Sequence, residues 1–236
     1  MVLLAVSTLS QLTSAAPPIA AAEAWLRTAH SRLPYVLAPG ISAVVVSGKD
    51  VHTFGSGVQK AWPGPFTTPA DGNTLYEIGS LSKTMVALGL ATIVTEGSMS
   101  WDDPVRKYLG DAFKLGSQEY VSSTLRVSDL LAHRSGLAEG QGDFLGYVYD
   151  TDAYTQRLAN VEPYHPLRAT FDYSNTGWAL AGEVLRRASN ASSWCAALHA
   201  RLLGPLGLNR TYCHRNEIPA AVAYAHLAAV HKGILT

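Results

Sequence analysis

The apolar positions of this chain change rhythm once. Residues 41–47 (ISAVVVS) and 51–55 (VHTFG) are short runs rich in β-branched side chains, separated by Gly48-Lys49-Asp50. Two such runs around a tight glycine-bearing turn predict a β-hairpin. Ahead of it, residues 20–33 (AAAEAWLRTAHSRL) are strong helix formers that stop before Pro34, which predicts a helix with Trp25 and Leu26 on its apolar side. From residue 82 onward the spacing is helical. Residues 82–96 (SKTMVALGLATIVTE) are apolar at helical intervals with almost no surface charge, predicting a buried helix that Gly97 ends. Shorter helices are expected at 127–133, 175–188 and 192–203, with a helical turn running from Asp102-Asp103-Pro104 to Leu109-Gly110. Residues 61–73 and 138–166 read as loop, the second with room for one helix. The fold class is therefore α/β in the α+β sense. Two strands alone make a marginal sheet, so the sheet is expected to be incomplete.

Composition narrows the classes. Of 236 residues 47% are hydrophobic and 15% charged, and 18 basic side chains balance 18 acidic ones. No basic stripe marks a nucleic-acid partner, and no apolar run reaches the length of a membrane span. No feature sets an oligomeric state. The opening residues 2–9 (VLLAVSTL) are apolar, and small residues precede Pro17-Pro18, so residues 1–16 are expected to be a secretory signal. Asn190-Ala191-Ser192 and Asn209-Arg210-Thr211 are glycosylation sequons, which matter only in a secreted chain. Secretion is thus the expected localisation, with the cytoplasm as the alternative. The two cysteines, Cys195 and Cys213, are expected to pair. The rival is a zinc site using Cys195, His199, Cys213 and His214, in which the adjacent Cys213 and His214 would chelate awkwardly.

Two motifs carry chemistry. Ser80-Leu81-Ser82-Lys83 is S-x-x-K, and Tyr173-Ser174-Asn175 is Y-x-N. On a helix starting at Ser80, positions i and i+3 share a face, so the Lys83 ammonium lies beside the Ser80 hydroxyl. Helix N-terminal N–H groups favour an oxyanion at the same place. A serine hydroxyl is a poor nucleophile unless a base adjoins it, and a lysine in apolar surroundings such as Met85-Val86-Ala87-Leu88 can serve. Other candidates are His133, the carboxylates Asp102 and Asp103, and the tyrosines Tyr147, Tyr149 and Tyr154. Ordinary roles compete in each case: helix capping for the aspartates, and loop packing rather than pocket lining for the tyrosines.

The context of these motifs resembles the serine beta-lactamase and penicillin-binding-protein-like superfamily. Thr74-Leu75-Tyr76-Glu77-Ile78-Gly79 before the S-x-x-K tetrad is similar to that family's nucleophile segment. Residues 97–109, 127–137, 171–177 and Pro205-Leu206-Gly207-Leu208 resemble further signature stretches in the family's order, so the resemblance covers about residues 20–225. Tyr in Y-x-N points to the branch of class C beta-lactamases, carboxylesterases, D-amino-acid peptidases and some acyltransferases. The resemblance implies that Ser80 is the nucleophile, Lys83 its base or proton relay, Tyr173 the proton shuttle and Asn175 a substrate-binding residue. It implies a small ester or amide as substrate, no metal or organic cofactor, and a satisfied, buried role for His133. The family's third motif, K-T-G or H-x-G, is matched here only by His231-Lys232-Gly233. The expected organisation is a signal at 1–16, a family domain at 17–225 resembling roughly the N-terminal two-thirds of a member, and an atypical tail at 226–236. On that account the activity is expected to be impaired, and the alternative function is a non-catalytic remnant or ligand-binding protein.

Overall fold

The computed structural model describes residues 19–32, 39–59 and 68–218. The expected signal at 1–16, part of the loop at 61–73, and the tail with His231-Lys232-Gly233 lie outside the described residues. The described chain forms two compact units, which divide between Ile78 and Gly79.

The first unit holds helix α1 (Ile19–Ser31) and the antiparallel strands β1 (Gly40–Ser47) and β2 (Asp50–Gly57). Their register runs from Gly40 opposite Gly57 to Ser47 opposite Asp50, so the hairpin closes on Gly48 and Lys49 alone. Asp50 belongs to the ladder rather than to the turn. Helix α1 packs on this sheet. It buries Leu26, but Trp25 is 58% exposed, contrary to the expectation that both sit on the apolar side. Neighbouring positions on a helix diverge by about a hundred degrees, so only one of them can face the sheet squarely. Val44, Val46 and Val51 are also exposed.

The second unit is helical. It contains α2 (Ser82–Thr95), α3 (Arg106–Leu109), α4 (Glu119–Thr124), α5 (Val127–Leu131), α6 (Leu145–Val148), α7 (Thr151–Arg157), α8 (Asn175–Ala188) and α9 (Trp194–Leu198). Helix α8 is its hub, packed against α2, α3, α5 and α9. Its buried Trp178, Leu180, Val184 and Leu185 join Val86, Leu90 and Ile93 of α2 and Leu130 of α5 in one core. Each such side chain, fully buried, contributes about 1.5–3 kcal/mol of transfer free energy. Helix α2 is not buried all round as its composition predicts. Lys83, Val86, Gly89, Leu90 and Ile93 form its buried face, while Leu88 is 46% exposed.

Two expected elements are divided. The stretch 192–203 splits into α9 and a π-helical turn (His199–Leu203), because the Gly204 N–H bonds back to the His199 carbonyl at 2.9 Å. Residues 138–166 hold α6, α7 and a 3-10 turn (Leu158–Asn160) instead of one helix, with the Asp150 side chain capping α7 through Ala153 N. Cys195 and Cys213 form a disulfide with Cα atoms 6.0 Å apart, as their pairing predicts.

Two buried carboxylates are paired with arginines. Glu183, its side chain only 1% exposed, accepts from Arg186 and Arg187 one turn along α8. Asp129 caps α5 through the Arg126 N–H and is clasped by Arg168 at 2.8–3.1 Å.

Candidate active site

Gly79, at φ 51°, turns the chain into a 3-10 turn (Gly79–Leu81) that runs directly into α2. A side chain at that φ would be strained, and glycine removes the penalty. Ser80 and Lys83 therefore share one face at the head of the helix. Lys83 is only 6% exposed, yet its Nζ donates to three oxygens: Ser80 Oγ at 3.1 Å, Tyr173 OH at 2.8 Å and Asn175 Oδ1 at 2.8 Å. Ser80 Oγ and Tyr173 OH are themselves 2.5 Å apart. All four residues that the motifs single out meet around one ammonium.

The fold brings Tyr173 there through a clamp. His133 sits at φ 56°, in the turn after α5 that the Asp129–Arg168 pair holds. The segment 165–174 runs alongside that turn, with Arg168 N donating to Arg134 O and Asp172 N to His133 O. Ser174 N donates to His133 Nδ1 at 2.9 Å, and the imidazole stacks on the Tyr173 ring, centroids 4.7 Å apart. Ser174 then caps α8 by accepting from Gly177 N at 3.2 Å, which makes Asn175 the first residue of the helix.

Electrostatics favour a reactive phenol. Burial pushes the Tyr173 pKa up, but hydrogen bonds from Lys83 and Ser80 and the Lys83 charge outweigh it, and the net shift is below the usual 10.0. An ammonium that spends all three N–H bonds has no lone pair to accept a proton. In this arrangement Lys83 favours the anionic form of the Tyr173 oxygen that lies beside Ser80.

His133 departs from the expected buried, satisfied ring. It is half-buried, and Trp178 Nε1 points at its Nε2 from 3.1 Å while Ser174 N points at Nδ1. A neutral imidazole has one acceptor nitrogen, so it satisfies one donor at a time. Burial first, and then the Lys83 charge, lower its pKa from 6.5. The ring is thus held neutral.

Asp143 escaped the sequence reading. Its Oδ2 accepts from Asn175 Nδ2 at 3.0 Å, and its Oδ1 faces Thr176 N at 3.2 Å and Thr176 Oγ1 at 3.0 Å. The available signal was the pair Gly140 and Gly142 just before it, both at positive φ, of 76° and 84°. At Gly142 a Cβ would lie 2.9 Å from Thr176 Oγ1, so the loop passes α8 where only glycine fits.

The remaining candidates stand apart from the four. Asp102 pairs with Arg126, whereas Asp103 accepts from Ser100 N, Lys107 and Tyr108 and closes the turn before α3. Burial raises the Asp103 pKa, but those bonds prevail and bring it to about 2. The two carboxylates thus serve different cations and form no acid–base pair. Tyr154 is in the core and Tyr149 packs against it under Arg157; the Tyr147 side chain lies outside the described set. His199, not His214, approaches the two cysteines, their ligand atoms lying within 4.8 Å of one another. With the sulfurs bonded to each other, no thiolate pair is presented to zinc.

Known proteins resemble this chain over most of its length. The family model described as Beta-lactamase matches residues 35–233. An unguisins hydrolase of Aspergillus campestris is 28% identical over 78% of this chain and 35% of its own length. A beta-lactamase of Providencia stuartii is 32% identical over 75% of this chain and 43% of its own. Among solved structures, a D-stereospecific amidohydrolase from Streptomyces is 26% identical with a TM-score of 0.62, over 81% of this chain and 55% of that one. The chain thus spans well under half the length of these two curated relatives.

Proposed function

Because the chain belongs to the Beta-lactamase family, whose relatives named above are hydrolases, we propose that it is a serine hydrolase or acyltransferase that forms an acyl-enzyme with a small ester or amide. The observation that carries the reading is the convergence of Ser80 Oγ and Tyr173 OH on Lys83 Nζ. Tyr173, as phenolate, takes the Ser80 proton while Oγ attacks the carbonyl carbon. The first-turn N–H of Ser80 stabilises the oxyanion. Tyr173 then gives that proton to the departing amine or alkoxide, leaving an ester on Ser80. Water or a second nucleophile, deprotonated by the same phenolate, attacks the ester carbonyl, and Tyr173 returns the proton to the departing Ser80 Oγ as the acyl group leaves. Asn175 holds the acyl amide, and Lys83 stabilises the phenolate each time it forms. Residues 17–225 would form the family domain.

Turnover of p-nitrophenyl acetate and of a penicillin tests this. The expected result is hydrolysis that Ser80→Ala abolishes. Turnover that survives Ser80→Ala contradicts it, and a wild-type chain without turnover points to ligand binding in the acyl pocket instead.

Secretion forms part of the proposal. Asn190 and Asn209 are exposed, and the Cys195–Cys213 bridge suits an oxidising compartment. Expressed in a secretory host, the chain should lose residues 1–16 and shift in mass on glycosidase treatment. An intact mass with neither change contradicts it.

A further inference from the structure

The Asn175 amide has two different ends, and the structure gives each a partner of fixed polarity. Oδ1 accepts from the Lys83 ammonium and Nδ2 donates to the Asp143 carboxylate. An ammonium only donates and a carboxylate only accepts. Flipping the amide would set donor against donor at one end and acceptor against acceptor at the other. The orientation of Asn175 is therefore dictated from Asp143. None of the three acceptors of Lys83 is a carboxylate, and the first carboxylate along the hydrogen-bond chain is Asp143.

We propose that Asp143 is the positioning residue of this site, fixing the Asn175 amide toward Lys83 and setting, through its charge, how readily Tyr173 yields its proton. The inference rests on the acyl-enzyme reading for its catalytic consequence, though not for its electrostatics. Ser80 from the 3-10 turn, Lys83 from α2 and His133 from the turn after α5 contact Tyr173, and Asp143, in the loop before α6, reaches it through Asn175 and Lys83. Lys83 favours the phenolate and His133 is neutral, so Asp143 supplies the opposing charge. Its own surroundings are the start of α8 and the buried Tyr154 phenol, whose pKa burial pushes up to about 12 with Asp143 adding to the rise. A carboxylate there also suits the positive end of α8.

The test titrates Tyr173 by ultraviolet difference spectroscopy. The protein has 11 tyrosines, so the Tyr173 signal is the part lost in Tyr173→Phe. In Asp143→Asn the Tyr173 phenol should ionise at lower pH than in the wild type. Moving the carboxylate one step along the chain, in Asp143→Asn with Asn175→Asp, should raise it again. Fluorophosphonate labelling of Ser80 should slow about 10- to 100-fold in Asp143→Asn, the cost of a misplaced group. Asp143→Ser, which keeps an acceptor for the Thr176 N–H, replaces it should the Asn variant lack a cooperative melt. An unmoved phenol in a folded variant overturns the role of Asp143, even with normal labelling of the wild type. A moved phenol in a wild-type chain that never labels supports Asp143 and overturns the acyl-enzyme reading.

Discussion

Two buried charges in the helical unit are held in opposite ways. Glu183 is enclosed by Arg186 and Arg187 within one turn of its own helix, and both guanidiniums bind its Oε1 at 2.6–2.7 Å. Lys83 is buried too but meets no carboxylate, only an amide oxygen, a serine hydroxyl and a phenol. The first arrangement neutralises a charge where it stands. The second leaves a positive field on a serine and a phenol, and that field promotes deprotonation. Burial alone does not separate structural from chemical charges; the partners do.

Substitution at each charge should separate them. Lys83→Met keeps the volume, removes the ammonium and should cut Ser80 acylation by about 10²- to 10⁴-fold, as expected on losing proton-transfer assistance. Its melting temperature should hold or rise, because replacing a buried charge with an apolar group is often neutral or stabilising. Glu183→Ala should do the reverse. Leaving Arg186 and Arg187 with Asp152 alone should cost about 1–3 kcal/mol in denaturant melts, while the surviving folded fraction labels at the wild-type rate. A Lys83→Met protein that unfolds, or a Glu183→Ala protein that folds well but does not label, would erase the contrast.

Gly142→Ala sharpens it in the loop that serves the site. The added Cβ meets Thr176 Oγ1 at a φ of 84°, and a left-handed non-glycine residue costs roughly 1–2 kcal/mol. The loss should appear in both melting and acylation, since the loop carries Asp143. Normal acylation in this variant would detach the loop from the site.

The smallest effect concerns His133. Its pKa is lowered from 6.5 in the folded protein, so the unfolded chain binds the extra proton. Stability from this group is present above about pH 6.5 and is lost as pH falls toward the folded value. His133→Asn, which tolerates a φ of 56°, should flatten that acid-side slope in thermal melts. An unchanged slope would assign the acid sensitivity to other groups.

The sequence made some of this legible. Helix α8 was read with its observed limits, because Ser174 is a strong N-cap and the core spacing that follows is strongly periodic. The S-x-x-K and Y-x-N motifs named the four residues that converge, since i,i+3 spacing fixes the first pair and the cap places the second. Trp25 and Leu88 were misjudged because composition does not say which helix face meets a partner. His133 and Asp143 needed three dimensions. Their importance lies in contacts across 41 and 32 residues of sequence, which no local pattern encodes.

The central claim is that Lys83, held among Ser80, Tyr173 and Asn175, makes Ser80 a nucleophile. Peptide mapping by mass spectrometry after fluorophosphonate treatment tests it most directly, with wild type and Lys83→Met compared at equal folded fraction. The account predicts a single adduct on Ser80 in the wild type and almost none in Lys83→Met. An adduct on another residue, or equal labelling of Ser80 in the two proteins, would contradict it.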